Sequence, residues 1–287
     1  MSISSSAVMC DLSISVWTAR KLDKKVSEEV DTMKGTTVRA GNYSKNLLAG
    51  SASLDNIVKH ASSTRLWNIQ QTLPWSDTGT RLLPTKNFME HKTGINDRRN
   101  EFTALCNTFY ADYPNLVSAS VARLGAMCDL SEYPPVDAVM NKFKFSLEYS
   151  PIAEAGDFRI DSENGVRDEL MEQHARNLKV KEETAMNELW KQLHEVLLHM
   201  SGSLADVKTE EGDVTHRRFR STLIDNALSQ CSLLTKLNIT NDPHLEMARQ
   251  ELERTLSGVH VETVRDSDDV RNTVKNKVDA IIEKFNW

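Results

Sequence analysis

The densest group of chemically capable side chains is His194-Glu195-Val196-Leu197-Leu198-His199. A zinc-hydrolase helix carries H-E-x-x-H, with its histidines four positions apart so that both reach one metal. Here the second histidine comes one residue too late. A helix turns by about 100° per residue, so the extra step swings the two rings onto different faces. They are read as two surface or boundary histidines, and no metal is expected. The run His216-Arg217-Arg218-Phe219-Arg220 suggests other chemistry. Guanidinium groups around an aromatic ring can hold phosphates and stack a base, which makes Arg217, Arg218 and Arg220 candidate nucleic-acid contacts. The alternative is an arginine-rich first helical turn with Phe219 in a core. The third candidate is LPWSDTGTRLLP, from Leu73 to Pro84. Two prolines bracket Asp77 and Gly79, which predicts an ordered loop that is neither strand nor helix. An exposed tryptophan beside an arginine and an aspartate suits recognition, so Trp75, Asp77, Gly79 and Arg81 form a candidate binding loop. In the alternative, Trp75 plugs a core while Asp77 caps a turn and pairs with Arg81.

Other linear signatures do not occur. The sequence has no G-x-x-x-x-G-K-[ST], no G-x-G-x-x-G and no G-x-S-x-G. Its carboxylates are read as lying on helical surfaces, so no general acid–base pair can be chosen. Cys10, Cys106, Cys128 and Cys231 are widely spaced. Without a C-x-x-C pair they read as reduced, partly buried thiols in a reducing compartment. No catalytic residue, cofactor or metal is expected.

The elements that would position these residues are mostly helical. The chain has 287 residues with 11 Gly and 7 Pro, and so few breakers favour long helices. Leu12, Ile14 and Val16 alternate with serines, which predicts an N-terminal strand. Leu22, Val26 and Val30 recur every four residues within a helix over 19–33, and Gly35 closes it. Thr36 to Ser51 reads as a loop. Ser53 caps a helix that runs to about Gln71. Phe88, Ile95, Phe102 and Phe109 repeat at intervals of seven along a long helix that Pro114 ends and a further helix follows. Phe143, Phe145, Leu147 and Tyr149 alternate with polar residues, and Phe158 with Ile160 supplies a return strand, giving a small β-hairpin near 143–160.

The longest helical stretch runs from Asp161 to about Leu204. Val166, Leu170, His174, Leu178, Ala185, Leu189, Leu193, Val196 and Met200 mark its stripe, and the pattern thins at KVKEET. Such a helix would span about 60 Å and reads as a coiled-coil-like arm or one crossing a bundle. Leu189, Leu193, Val196 and Met200 are therefore a candidate helix interface, and a homo-oligomer is expected. Asp242 or Asn241 caps a later helix with Pro243 in its first turn. The last helix opens on Asp266, Asp268 and Asp269. The fold class is mostly α with a minor β component. An N-terminal α+β domain covers 1–160 and an elongated helical region covers 161–287, unless the two form one continuous domain.

Charge is uneven. Residues 1–150 carry 17 basic and 15 acidic side chains, and residues 151–287 carry 18 and 26. The acidic half argues against a chain-wide nucleic-acid surface. The first residues have neither the basic nor the apolar region of a signal peptide, and no apolar run is long enough to span a membrane.

Three stretches, DLSISVWTARKLDKKVSEEV, QTLPWSDTGTRLLP and FSLEYSPIAEAGDFRID, are similar to an uncharacterised domain-of-unknown-function family of phages and integrative elements. Trp75, Asp77, Gly79, Arg81, Asp157 and Arg159 are the matching motif positions. The resemblance implies an encoded neighbourhood with a MoxR-type, cobaltochelatase-like AAA+ ATPase and recombination functions, in the cytoplasm of a bacterial host. It carries over no catalytic residue. The function expected is a non-enzymatic adaptor or scaffold of a phage or mobile element, partnering itself or an AAA+ ATPase. The alternatives are a nucleic-acid-binding accessory protein in recombination or replication, and an inhibitor of a host defence protein.

Overall fold

The computed structural model of the chain describes residues 3–153, 164–208, 214–216, 220–285 and 287. It opens with α1 (Ile3–Ser6), β1 (Ala7–Ser15), β2 (Arg20–Leu22), α2 (Lys24–Met33), β3 (Ser44–Asn46) and α3 (Ala52–Gln71). Next come β4 (Leu73–Pro74), β5 (Arg81–Pro84), α4 (Phe88–Leu124), α5 (Val136–Met140) and β6 (Lys144–Ser150). The rest is α6 (Asn164–Leu204), β7 (Asp206–Lys208), β8 (Val214–His216), α7 (Leu223–Leu237), α8 (Pro243–Leu256), α9 (Val261–Asp266) and α10 (Asp268–Lys284). The fold is mostly α with a minor β component, an N-terminal strand and long C-terminal helices. One sheet has the order β4-β5-β1-β6, and β2-β3 and β7-β8 form two-stranded pairs.

Two compact units are drawn from separated stretches of chain. The larger comprises 1–11, 69–91 and 149–287; the smaller comprises 12–68 and 92–148. The boundary expected between 160 and 161 lies outside the described residues, as does the return strand expected at Phe158 and Ile160.

The core of the larger unit is built on α6. Ala185, Leu189, Leu193, Leu197, Met200 and Leu204 follow a four-or-three spacing and are all buried. They pack with the buried faces of α7, α8 and α10, among them Ala227, Cys231, Leu234, Leu252, Val274 and Val278. The KVKEET stretch leaves α6 unbroken. Its end is tied down by Arg271, whose Nε donates to the Leu204 carbonyl at 3.1 Å. Such a bond satisfies one of the carbonyls a helix leaves over at its C-terminus. Asp242 caps α8 by accepting from the amides of His244 (2.9 Å) and Leu245 (3.4 Å), with Pro243 in the first turn. Ser267 caps α10, and the short α9 precedes it.

The sequence expectation for 73–84 needs correction. Within that stretch β4 and β5 form a hairpin, with Leu73 opposite Leu82 and Pro74 opposite Arg81. Burial of Leu73, Leu82 and Leu83 drives it. Pro74 is tolerated because β4 is an edge strand, where a missing donor costs no ladder bond on the open side. Between the strands Gly79 adopts φ +103°, and its amide donates to the Ser76 carbonyl at 3.3 Å. β5 in turn pairs with β1, Ala7 facing Pro84 and Cys10 facing Arg81.

The smaller unit surrounds an aromatic seam. Phe102, Cys106, Phe109, Tyr113, Leu116 and Ser120 are buried along one face of α4. That seam runs straight through Pro114, so the proline lies inside the helix and does not end it. A proline in a helix interior costs about 3 kcal/mol. Beyond it, the burial of Leu116, the half-burial of Val117 and the bond from Ser120 Oγ to the Leu47 carbonyl offset that loss. Gly94, also inside α4, makes room for Trp67, because a Cβ there would lie 2.6 Å from the indole Cζ2. Two further expectations shift. Ser51, and not Ser53, accepts from the Leu54 amide at the start of α3. The helix expected over 19–33 begins at Lys24, with Asp23 as its cap and β2 before it. Its stripe is not a core face, since Leu22 is 40% and Val30 49% exposed.

Candidate functional site

The β4–β5 hairpin does not gather its four motif residues at one point. Trp75 turns inward and is 8% exposed, with Lys181 Nζ 4.7 Å from the ring centroid. Asp77 and Gly79 sit exposed in the turn. Arg81 reaches back to the end of α3. It donates to the Thr72 hydroxyl at 2.6 Å and to the Thr72 and Ile69 carbonyls at 2.9 and 3.1 Å. A cation there neutralises the negative end of the helix dipole. Burial lowers the Arg81 pKa below the ordinary guanidinium value, while the charges of Glu188 and Cys10 act to raise it. Arg81 therefore holds α3 and makes no pair with Asp77.

The other sequence candidates lie apart. Arg217 and Arg218 lie outside the described residues, and Arg220 is exposed just before α7. His194 stacks on Trp287, with ring centroids 4.7 Å apart and planes at 11°. His199 faces a different space, described next. Among the described residues no group of three or more His, Cys, Asp or Glu is arranged to hold a metal. Cys10 and Cys231 are buried thiols, which burial pushes up to about 12 and about 11 respectively. Among the described residues no helix is long and apolar enough to cross a membrane.

The interface expected at Leu189, Leu193, Val196 and Met200 is largely taken up inside the chain. Leu189 and Leu193 are fully buried and Met200 is 1% exposed. Val196 is half-buried and opens onto a cleft of about 390 Å³ between α6 and α7. One wall is a polar stripe of α6, Glu188, Gln192, Glu195 and His199, spaced four, three and four residues apart. Asn226 and Gln230 of α7 form the opposite wall, and Ile69 and Gln70 close one end. Met200, Leu223 and Ala227 contribute to the floor. Gln192 Nε2 donates to Glu188 Oε1 at 3.4 Å, and Lys191 lies 3.8 Å from Glu195. The sequence reading followed the apolar seam, weighed Glu195 and His199 only against a metal motif, and passed over Glu188, Gln192, Asn226 and Gln230. The available signal was the polar stripe one position before each seam residue.

No family model matches the chain, and neither a curated protein nor a solved structure matches it significantly.

Proposed function

We propose that the chain is a non-enzymatic adaptor of a phage or mobile element, whose larger unit holds a segment of a partner protein in the α6–α7 cleft. The lining of that cleft carries the reading. Gln70, Gln192, Asn226 and Gln230 bring four carboxamides to one groove. A carboxamide both donates and accepts, so a row of them complements peptide main chain. Beneath them Val196, Met200 and Leu223 provide an apolar floor for a side chain. The partners are a second copy of this chain or the AAA+ ATPase that the family resemblance implies.

Light scattering on a sizing column, with the chain alone and with the ATPase, tests the proposal. A defined oligomer or co-eluting complex that is lost on the double substitution Gln192→Ala with Asn226→Ala supports it. A monomer that ignores the ATPase, or a complex indifferent to both substitutions, overturns it.

A further inference from the structure

The smaller unit carries a second groove, unrelated to the α6–α7 cleft. Of the ten residues of α2, Ser27 alone is buried. The apolar positions are open to solvent: Val30 is 49% and Met33 81% exposed. Beyond the helix, Val38 is 73% and Tyr43 43% exposed. Scattered apolar residues on a surface need no explanation, but two of these, Val30 and Tyr43, face one groove. Between α2 and residues 36–43 lies a groove of about 400 Å³ lined by Val30, Lys34, Ala40 and Tyr43 among others.

The groove wall is held by specific bonds. The Ala40 amide donates to Asp31 Oδ1 at 3.2 Å, and the Tyr43 amide donates to Ser27 Oγ at 3.0 Å. The Thr36 amide and hydroxyl both donate to the Asp31 carbonyl, at 3.0 and 3.2 Å. The Asp23 amide donates to the Tyr43 carbonyl at 2.9 Å. A docking segment would meet a formed site and would not have to order it, which keeps more of the contact energy for binding.

The charges around the groove identify the occupant. Lys34 lines the groove, and Arg20, Lys21, Lys24, Lys25 and Arg39 are exposed in the same stretch of chain. Of the four carboxylates beside them, Asp23 lies 3.3 Å from the buried Lys45 and Asp31 accepts from Ala40. Glu28 and Glu29 remain against six cations. Among the described residues neither Lys34 nor Arg39 pairs with a carboxylate. We infer that this groove docks an acidic segment of a partner protein, which inserts one or two apolar side chains between Val30 and Tyr43. Concavity favours a peptide over a lipid surface, because a groove walled by main chain receives side chains whereas a bilayer presents a plane. The surrounding cations would steer such a segment and fix its register.

The test uses the full chain and fluorescein-labelled hexapeptides, four Asp/Glu flanking a central Leu-Phe, Ser-Ser or Lys-Lys pair, read by anisotropy. The expected result is saturable binding of the Leu-Phe peptide that weakens with salt. Lys34→Glu combined with Arg39→Glu should weaken it by about tenfold or more, and so should Val30→Ser. All three positions are exposed, so circular dichroism should be unchanged. Equal binding of the Ser-Ser peptide, indifference to the charge reversals, or no binding of any acidic hexapeptide overturns the inference. Capture of the chain by phosphatidylserine vesicles while the peptides stay silent also overturns it, and assigns the surface to a membrane instead.

Discussion

Lys45 Nζ stands 2.8 Å from Glu132 Oε2 and 3.3 Å from Asp23 Oδ2, and it donates to the Met127 carbonyl at 2.9 Å. The Lys45 side chain is 6% exposed, so this is a buried cation with three oxygen partners. It joins β3 to the α2 cap and to the turns before α5. The hydrogen bond to Glu132, followed by that to Asp23, raises the Lys45 pKa. The Val26 amide first, and Lys45 after it, lower that of Asp23. A raised amine pKa contributes stability that is present below the unfolded value and lost as pH rises through the folded one. A lowered carboxyl pKa contributes stability that is present above the unfolded value and lost as pH falls through the folded one. Together they should leave a plateau across neutral pH.

Removing one partner from such a buried set is costly, because the others keep their charge without the counter-charge. Lys45→Met should lower unfolding stability by about 3 kcal/mol at neutral pH, measured by urea denaturation. Glu132→Gln should cost less, since Asp23 and the Met127 carbonyl still hold the amine. Equal costs for the two would refute this ranking.

His91 sets a different pH dependence. It is fully buried, its Nδ1 is 2.9 Å from the Tyr149 hydroxyl, and burial pushes its pKa down to about 4. An unfolded histidine titrates near 6.5. The native state therefore binds fewer protons than the unfolded state between those values, and stability falls as pH drops from about 6.5 to about 4. From one group the slope is at most about 1.4 kcal/mol per pH unit. His91→Gln should be less stable than the parent at pH above 7 and should show a flatter profile below it. A profile of unchanged slope would mean that other histidines carry the dependence.

Gly94 and Trp67 make a steric prediction. In an exposed helix Gly→Ala gains about 1 kcal/mol. At Gly94 the new methyl would sit 2.6 Å from Cζ2 and 2.9 Å from Cη2 of Trp67, whose ring is also covered by Arg98 at 4.6 Å. The ring must move, so Gly94→Ala should destabilise by about 1–2 kcal/mol. The same change in a Trp67→Leu background should instead be neutral or stabilising. Thermal melts of the four proteins in this cycle decide it.

Helical spacing made the α6 seam legible, because Leu189, Leu193 and Met200 repeat with the helix and are buried in one core. The Asp242-Pro243 start of α8 was legible for the same local reason, a cap followed by a residue that needs no amide partner. The β4–β5 hairpin was hidden by its prolines, which usually exclude strands: Pro74 is harmless on the edge strand, and Pro84 is the last residue of β5, past the two residues that β4 pairs with. The spacing of Leu22, Val26 and Val30 gives a helix but not its cover, because periodicity reports amphipathicity and not what lies against the apolar side. The α6–α7 cleft depends on Gln192 and Asn226 lining one space from two helices, and Gln70 joins them from a third stretch. Solvated glutamines have the same appearance in sequence wherever they point. Two units built from interleaved stretches leave no composition boundary to find.

Pro114 offers the last prediction, and two opposing terms decide its sign. The residue lies inside α4 and is exposed, so replacing it leaves the buried seam of Phe109, Tyr113 and Leu116 untouched. Pro114→Ala restores a main-chain donor one turn after the Tyr110 carbonyl and removes the ring that crowds it, a gain of about 3 kcal/mol in a helix interior. Against this, the unfolded chain regains freedom that proline had withheld, a loss of about 0.4–1 kcal/mol. The net expectation is a stabilisation of about 2 kcal/mol, seen as a higher urea midpoint at unchanged slope. A lower midpoint would mean that α4 depends on a bend at Pro114 to bring Tyr113 Oη to the Pro134 carbonyl, which it meets at 2.8 Å. Tyr113→Phe distinguishes the two cases: it should cost about 1 kcal/mol in the parent and about the same in the Pro114→Ala protein if the helix axis does not depend on the proline.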